Sequence, residues 1–268
     1  MVDIFRWNPP LRPKYFGSIA RYTPSRIRLN NFGDLLGPIV VAKLAEKHGV
    51  SDIARGKGRL ISVGSVLHFA KNGDVVWGTG LNGKMGTQRH AWTHLDVRAV
   101  RGPRTAQFLE ERGIIAPKIY GDPALLLPDL VPQLRDWASQ PKQFGTTVVP
   151  NYNDYAQSAA IGVRPEQILC PTSPVFTCLE RIARSEFVTG SSLHAIVVAE
   201  SLGIPARVMR SRHETELKYL DYFEGTGRFG VEIADTYEAA VDLGGAPRIR
   251  WDSKGLVDAF PLDLWSPD

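Results

Sequence analysis

The sequence predicts an α/β protein built on parallel strands. Short apolar runs that end at glycine or proline alternate with stretches of helical periodicity, and the pattern recurs in both halves of the chain. Short apolar strands of this kind, separated by helices, belong in parallel sheets with crossover connections. In the first half the strand candidates are Leu60 to Val63, Asp74 to Trp77, Val97 to Val100 and Lys118 to Tyr120. In the second they are Thr146 to Val149, Gln167 to Cys170, Glu186 to Thr189 and Ala206 to Met209. Between the halves, Pro128 to Phe144 contains three prolines and weaker periodicity, so it is the expected linker between a domain at 1–140 and another at 141–268. The irregular segment after Leu243 carries Trp251 and Trp265 and is expected to pack back across both halves.

Composition narrows the class. Hydrophobic residues make up 43% and charged residues 22% of the 268 positions, which excludes a disordered or fibrous chain. No apolar run approaches the roughly 20 residues of a membrane-spanning helix. MVDIFRWNPPLRPK lacks the apolar core of a signal peptide, so a cytosolic location is expected. The net charge of +4 comes from scattered basic residues with no tract suited to a nucleic-acid backbone, and it would equally suit an acidic small substrate. Cys170 and Cys178 are expected as free thiols, because the region offers too few further ligands for zinc.

Three strand-to-helix junctions carry chemistry. In EFVTGSSLHAIVVAESLGI, residues 186–204, Gly190 permits a turn, Ser191 or Ser192 suits a helix N-cap, and Gly203 stops a helix that is apolar all round. His194 interrupts that surface in the first turn, where the helix dipole favours an anion and disfavours a charged imidazole. A neutral histidine there can act as a base; equally it can be a core histidine bonded to a carbonyl. In NNFGDLLGPIVVAKLAEKHG, residues 30–49, Asp34 reads either as an N-cap or, beside Asn31 and Gly33, as part of a ligand crevice. In DVRAVRGPRTAQFLEERG, residues 96–113, Arg98, Arg101 and Arg104 are either solvated surface or a fork for carboxylate or phosphate oxygens.

Weaker signals lie nearby. Gly64 with Ser65, and Gly78 with Gly80, follow apolar strands without the spacing of a dinucleotide fingerprint; they are expected to let substrate approach the backbone. Lys218 and Tyr222 share a helix face, either as surface or as substrate contacts.

Taken together, NNFGD at 30–34, VVWGTG at 75–80, VRAVRGPRT at 97–105, IYGDPALLLP at 119–128 and TGSSLHAIVVAESLGIP at 189–205 resemble the polysaccharide pyruvyl transferase family, in the family's order. The resemblance is closest to bacterial members that decorate exopolysaccharide repeat units. It implies two Rossmann-like domains in a GT-B-like arrangement with the active site in the cleft between them. It implies phosphoenolpyruvate as co-substrate, no metal or cofactor, and a saccharide acceptor, lipid-linked at the inner face of the plasma membrane. By motif it places Asp34, Arg101 and His194 around the donor and the reacting centre; the junctions read above add Asn31, Gly33, Gly64, Gly78, Gly80, Arg104, Ser191, Ser192 and Lys218 as expected substrate contacts. Two positions depart from the family: Ser192 stands where some members have arginine, and Asn151 where relatives often have histidine. Competing expectations are a nucleotide-sugar glycosyltransferase of the same fold and a binding subunit without catalysis.

Overall fold

The computed structural model describes residues 2–11, 27–50 and 57–265. Two parallel sheets organise it. The first has the order β1 (Asp3–Ile4), β2 (Arg59–Ile61), β3 (Val75–Trp77) and β4 (Asp96–Ala99). The second has the order β5 (Phe144–Val148), β6 (Ser185–Gly190) and β7 (Ala206–Val208). Leu60 pairs with Val75 and Val76 with Val97, while in the second sheet Val188 pairs with Ala206. Leu60, Ile61, Val75, Val76 and Trp77 are all buried, as strands covered on both faces must be.

Two expected strands shrink to single bridges. Tyr120 pairs only with Val100, between Pro117, which has no N–H, and Gly121, whose φ of +151° leaves the strand region. Ile168 pairs only with Val148, between a short 3-10 turn at Pro165–Gln167 and Pro171. β1 was not expected: it is two residues long with an exposed Asp3, too short to show periodicity.

The helices are α1 (Leu36–Lys47), α2 (Pro103–Glu110), α3 (Leu127–Leu130), α4 (Gln133–Ser139), α5 (Tyr152–Tyr155), α6 (Val175–Ala183), α7 (Leu193–Ser201), α8 (Leu217–Gly225), α9 (Tyr237–Leu243) and α10 (Lys254–Asp258). The expected linker is therefore largely folded. Pro128 lies in the first turn of α3 and Pro132 is the N-cap of α4, positions where a missing N–H costs nothing. Leu127, Leu130 and Leu134 join the apolar cluster that contains Leu60 and Trp77 of the first sheet and Val188 and Val208 of the second.

The C-terminal segment touches both sheets. Ala246 N–H donates to Ala206 O (2.8 Å), Trp251 Nε1 to Tyr120 O (2.7 Å), and Trp77 Nε1 to Leu256 O (2.9 Å). Phe260 lies between Trp77 and Trp265. Among the described residues no helix is long and apolar enough to cross a membrane.

Candidate active site

A cleft of about 290 Å³ opens where loops from both sheets meet. Ser65 follows β2, Asn82 follows β3, Asn151 follows β5, and Ser192 and His194 follow β6, so the cleft lies at the carboxyl ends of the strands. Asn31, Asp34, His68, Lys84, Asn153, Glu214 and Lys218 add to its polar lining.

His194 sits in the first turn of α7. Its neighbours Leu193 and Ala195 to Ala199 are buried, so the helix cannot turn to release the ring to solvent. The side chain is 12% exposed. Burial, aided by the charges of Arg101 and Lys218, lowers its pKa to about 3 and keeps the imidazole neutral. Nε2 has no hydrogen-bond partner and points at Asp122 Oδ2, 3.8 Å away. Ser192 occupies the N-cap, but its hydroxyl makes no capping bond; its N–H donates to Val149 O (3.0 Å).

Asp34 lies in the 3-10 turn Phe32–Leu35 that leads into α1, and its side chain caps no helix N–H. Asn31 Nδ2 donates to Asp34 Oδ2 (2.5 Å). Burial is the largest influence on this carboxyl and pushes its pKa up to about 6, against the Asn31 bond and the Lys218 charge. Gly33 is a packing glycine: an added Cβ would stand 2.4 Å from His194 Nδ1. A Cβ at Gly64 would lie 3.7 Å from Asp34 Oδ1.

Lys218, at the start of α8, carries a side chain 12% exposed, and burial lowers its pKa to about 8. Its ammonium is 3.5 Å from Glu214 Oε2, and Glu214 Oε1 also accepts from Lys84. The cleft thus holds two lysines on one carboxylate. Lys84 and Glu214 were not expected. Glu214 is signalled only by its place four residues before Lys218, and Lys84 only by its glycine-rich surroundings.

The arginines lie elsewhere. Arg101 is fully buried behind the cleft, and its Nε and NH2 both reach Asp221 Oδ2 (3.1 Å). NH1 donates to Ser65 Oγ (2.8 Å) and NH2 to Leu81 O (3.2 Å). The guanidinium is fully buried and does not line the cleft. Arg104 forms a two-pronged pair with Glu224 on α8 (2.9 and 2.7 Å) and does not line the cleft. Neither arginine lines the cleft where the anion clamp was expected; the carboxylates that engage them come from a helix 120 residues later in the chain.

Three other expectations change. A Cβ at Gly80 would meet Arg101 Cζ at 2.2 Å, and one at Gly78 would meet Pro123 at 2.3 Å, so both glycines serve packing and not substrate approach. Ser191 Oγ donates to Asp154 Oδ2 (2.5 Å) and accepts from Asn151 N–H (3.0 Å), facing a neighbouring cavity. Asn151 lines the cleft, but its amide caps α5 and ties Ser191 and Ser211 together.

The fold is that of a parallel α/β protein with a neutral buried histidine, a buried aspartate and two lysines in one cleft at the carboxyl ends of its strands. The family model for polysaccharide pyruvyl transferase matches residues 31–213. The chain belongs to that family and is a transferase. The match runs from Asn31 past His194 and stops before Lys218. No curated protein and no solved structure matches the chain.

Proposed function

We propose that this transferase moves the pyruvyl group of phosphoenolpyruvate onto two hydroxyls of a sugar, forming a ketal on an exopolysaccharide repeat unit. The observation that carries the reading is the convergence of Asp34 and His194, from motifs far apart in the chain, on one cleft in a member of this family. In this reading the two sheets are the Rossmann-like halves of a GT-B-like enzyme, residues 1–140 and 141–268. Phosphoenolpyruvate is a co-substrate, and no metal or other cofactor is required.

The donor carries a carboxylate and a phosphate. Lys218 and Lys84 take one, displacing Glu214, and the N-terminus of α7 beside Ser192 takes the other. These groups replace the arginine that stands at position 192 in some relatives. Asp34, whose burial raises its pKa to about 6 and so enlarges the acid fraction near neutrality, gives its proton to the methylene carbon as positive charge develops at C2. His194 removes the proton of the first sugar hydroxyl as its oxygen bonds to C2. The C2–O bond to phosphate then breaks. The second hydroxyl closes the ketal, and its proton leaves with the phosphate, while the proton held by His194 passes through solvent to reload Asp34. Trp7, Phe69 and Tyr152 at the rim offer apolar faces to the sugar. A lipid-linked acceptor would bring the enzyme to the inner face of the plasma membrane.

The test is phosphate release from phosphoenolpyruvate with a panel of galactosides, glucosides and mannosides, followed by mass analysis of the sugar. The expected result is acceptor-dependent release and a sugar heavier by one pyruvate less one water. Release that is independent of every acceptor, or a sugar without the added mass, overturns the reading.

A further inference from the structure

Beneath the floor of the cleft lie two polar atoms that face each other and nothing else. Asp122 is fully buried, in the loop between the Tyr120 bridge and α3. Its Oδ1 accepts from Ala124 N–H (3.0 Å). Its Oδ2 has no partner, and neither does His194 Nε2, 3.8 Å away. An unpartnered buried polar group is costly, so two of them pointed at one another are a pair waiting to form. A hydrogen bond needs about 2.7–3.2 Å, a gap that a small swing of the imidazole closes. Active-site bonds of this sort are often long before substrate binds.

We propose that Asp122 is a positioning residue: it accepts a hydrogen bond from His194 Nε2–H and fixes the ring in the tautomer whose basic nitrogen is Nδ1. Nε2 is sealed from solvent, so Nδ1, at the Gly33 edge, is the nitrogen through which the ring meets a substrate. A histidine whose partner carboxylate takes one N–H presents a lone pair on the other nitrogen. Burial pushes the Asp122 carboxyl up to about 6, and the Ala124 N–H and the charge of the fully buried Arg101 oppose that rise, so above neutral pH the carboxyl is ionised, the form that accepts. Arg101 thereby acts on the site from behind, without touching substrate.

The tautomer follows from the geometry alone, whereas its kinetic consequence rests on His194 being the base. Two measurements keep these apart. In histidine-15N-labelled wild type above neutral pH, with His194→Gln to assign the signals, His194 should show a protonated Nε2 and an unprotonated Nδ1. The opposite tautomer overturns the proposal whatever the enzyme's substrate. In Asp122→Asn the amide can donate to Nε2 and force the proton onto Nδ1. Its kcat should fall by roughly a hundredfold or more while the donor KM stays within about threefold of wild type. A folded Asp122→Asn with wild-type kcat and an unchanged His194 tautomer also overturns it. If that variant does not fold, the wild-type spectrum decides. Absence of any turnover of phosphoenolpyruvate by wild type would defeat the proposed function and leave the tautomer to be read from the spectrum.

Discussion

Gly33 and His194 are in direct contact, with the glycine's missing side chain making room for the ring: a Cβ at position 33 would stand 2.4 Å from Nδ1 and 2.9 Å from Cγ. Gly33→Ala must displace the imidazole or the 3-10 turn that carries Asp34. A shift near one ångström costs on the order of a hundredfold in rate. Overpacking costs about 1–3 kcal/mol. Phosphate-release rates and urea denaturation of the variant measure both, and near-normal turnover would show that the ring has slack at this edge.

Arg101 is a buried structural cation, and its variants should read out in stability before donor affinity. Asp221→Ala, which strands the guanidinium, should cost about 3–5 kcal/mol. The double change Arg101→Met with Asp221→Leu should recover most of that loss, because apolar pairs often replace buried ion pairs at little cost. Arg104→Ala, outside the cleft, should leave the donor KM within about twofold and cost no more than about 1 kcal/mol, since the Arg104 side chain is 40% exposed. A large rise in donor KM for Arg104→Ala would place that arginine on the substrate after all.

Acid should weaken the fold through His194. Its pKa is 6.5 when unfolded and about 3 in the native state, so between those values the unfolded chain takes up a proton that the native state refuses. Stability from this source falls as pH drops from 6.5 toward 3. Asp34 and Asp122, raised from 3.8 to about 6, act in the opposite sense: their contribution declines as pH rises from 3.8 through 6. Comparison with His194→Gln isolates the histidine. Between neutral pH and about pH 4.5, that variant should gain about 2–3 kcal/mol relative to wild type. A difference that does not vary with pH would mean that the imidazole titrates normally.

The parts of the fold that could be read from sequence were those marked by local pattern. Apolar runs at β2, β3 and β4 gave the strands, and Gly203, with φ of +72°, ended α7 where the glycine stood. Prolines misled in two ways. Pro128 and Pro132 suggested a linker but start helices, while Pro117 and Pro171 cut two expected strands to bridges. At the site, Asn31, Asp34, Ser192, His194 and Lys218 were legible because each sits at a helix start or in a marked motif, and they line one cleft. The arginines were misplaced because an arginine at a strand end does not reveal its partner: Asp221 and Glu224 come from α8, far along the chain. Asp122 went unseen as more than a motif residue because one of its oxygens does cap a turn. Only the three-dimensional structure shows the other oxygen facing His194.

The most direct test of the central claim is the rate of acceptor-dependent phosphate release from phosphoenolpyruvate by wild type and by His194→Gln at the same pH. The expected result is turnover by wild type and a loss of roughly a hundredfold or more in the variant, with its fold intact by thermal denaturation. A folded His194→Gln that releases phosphate at the wild-type rate would contradict the assignment of His194 as the reacting group.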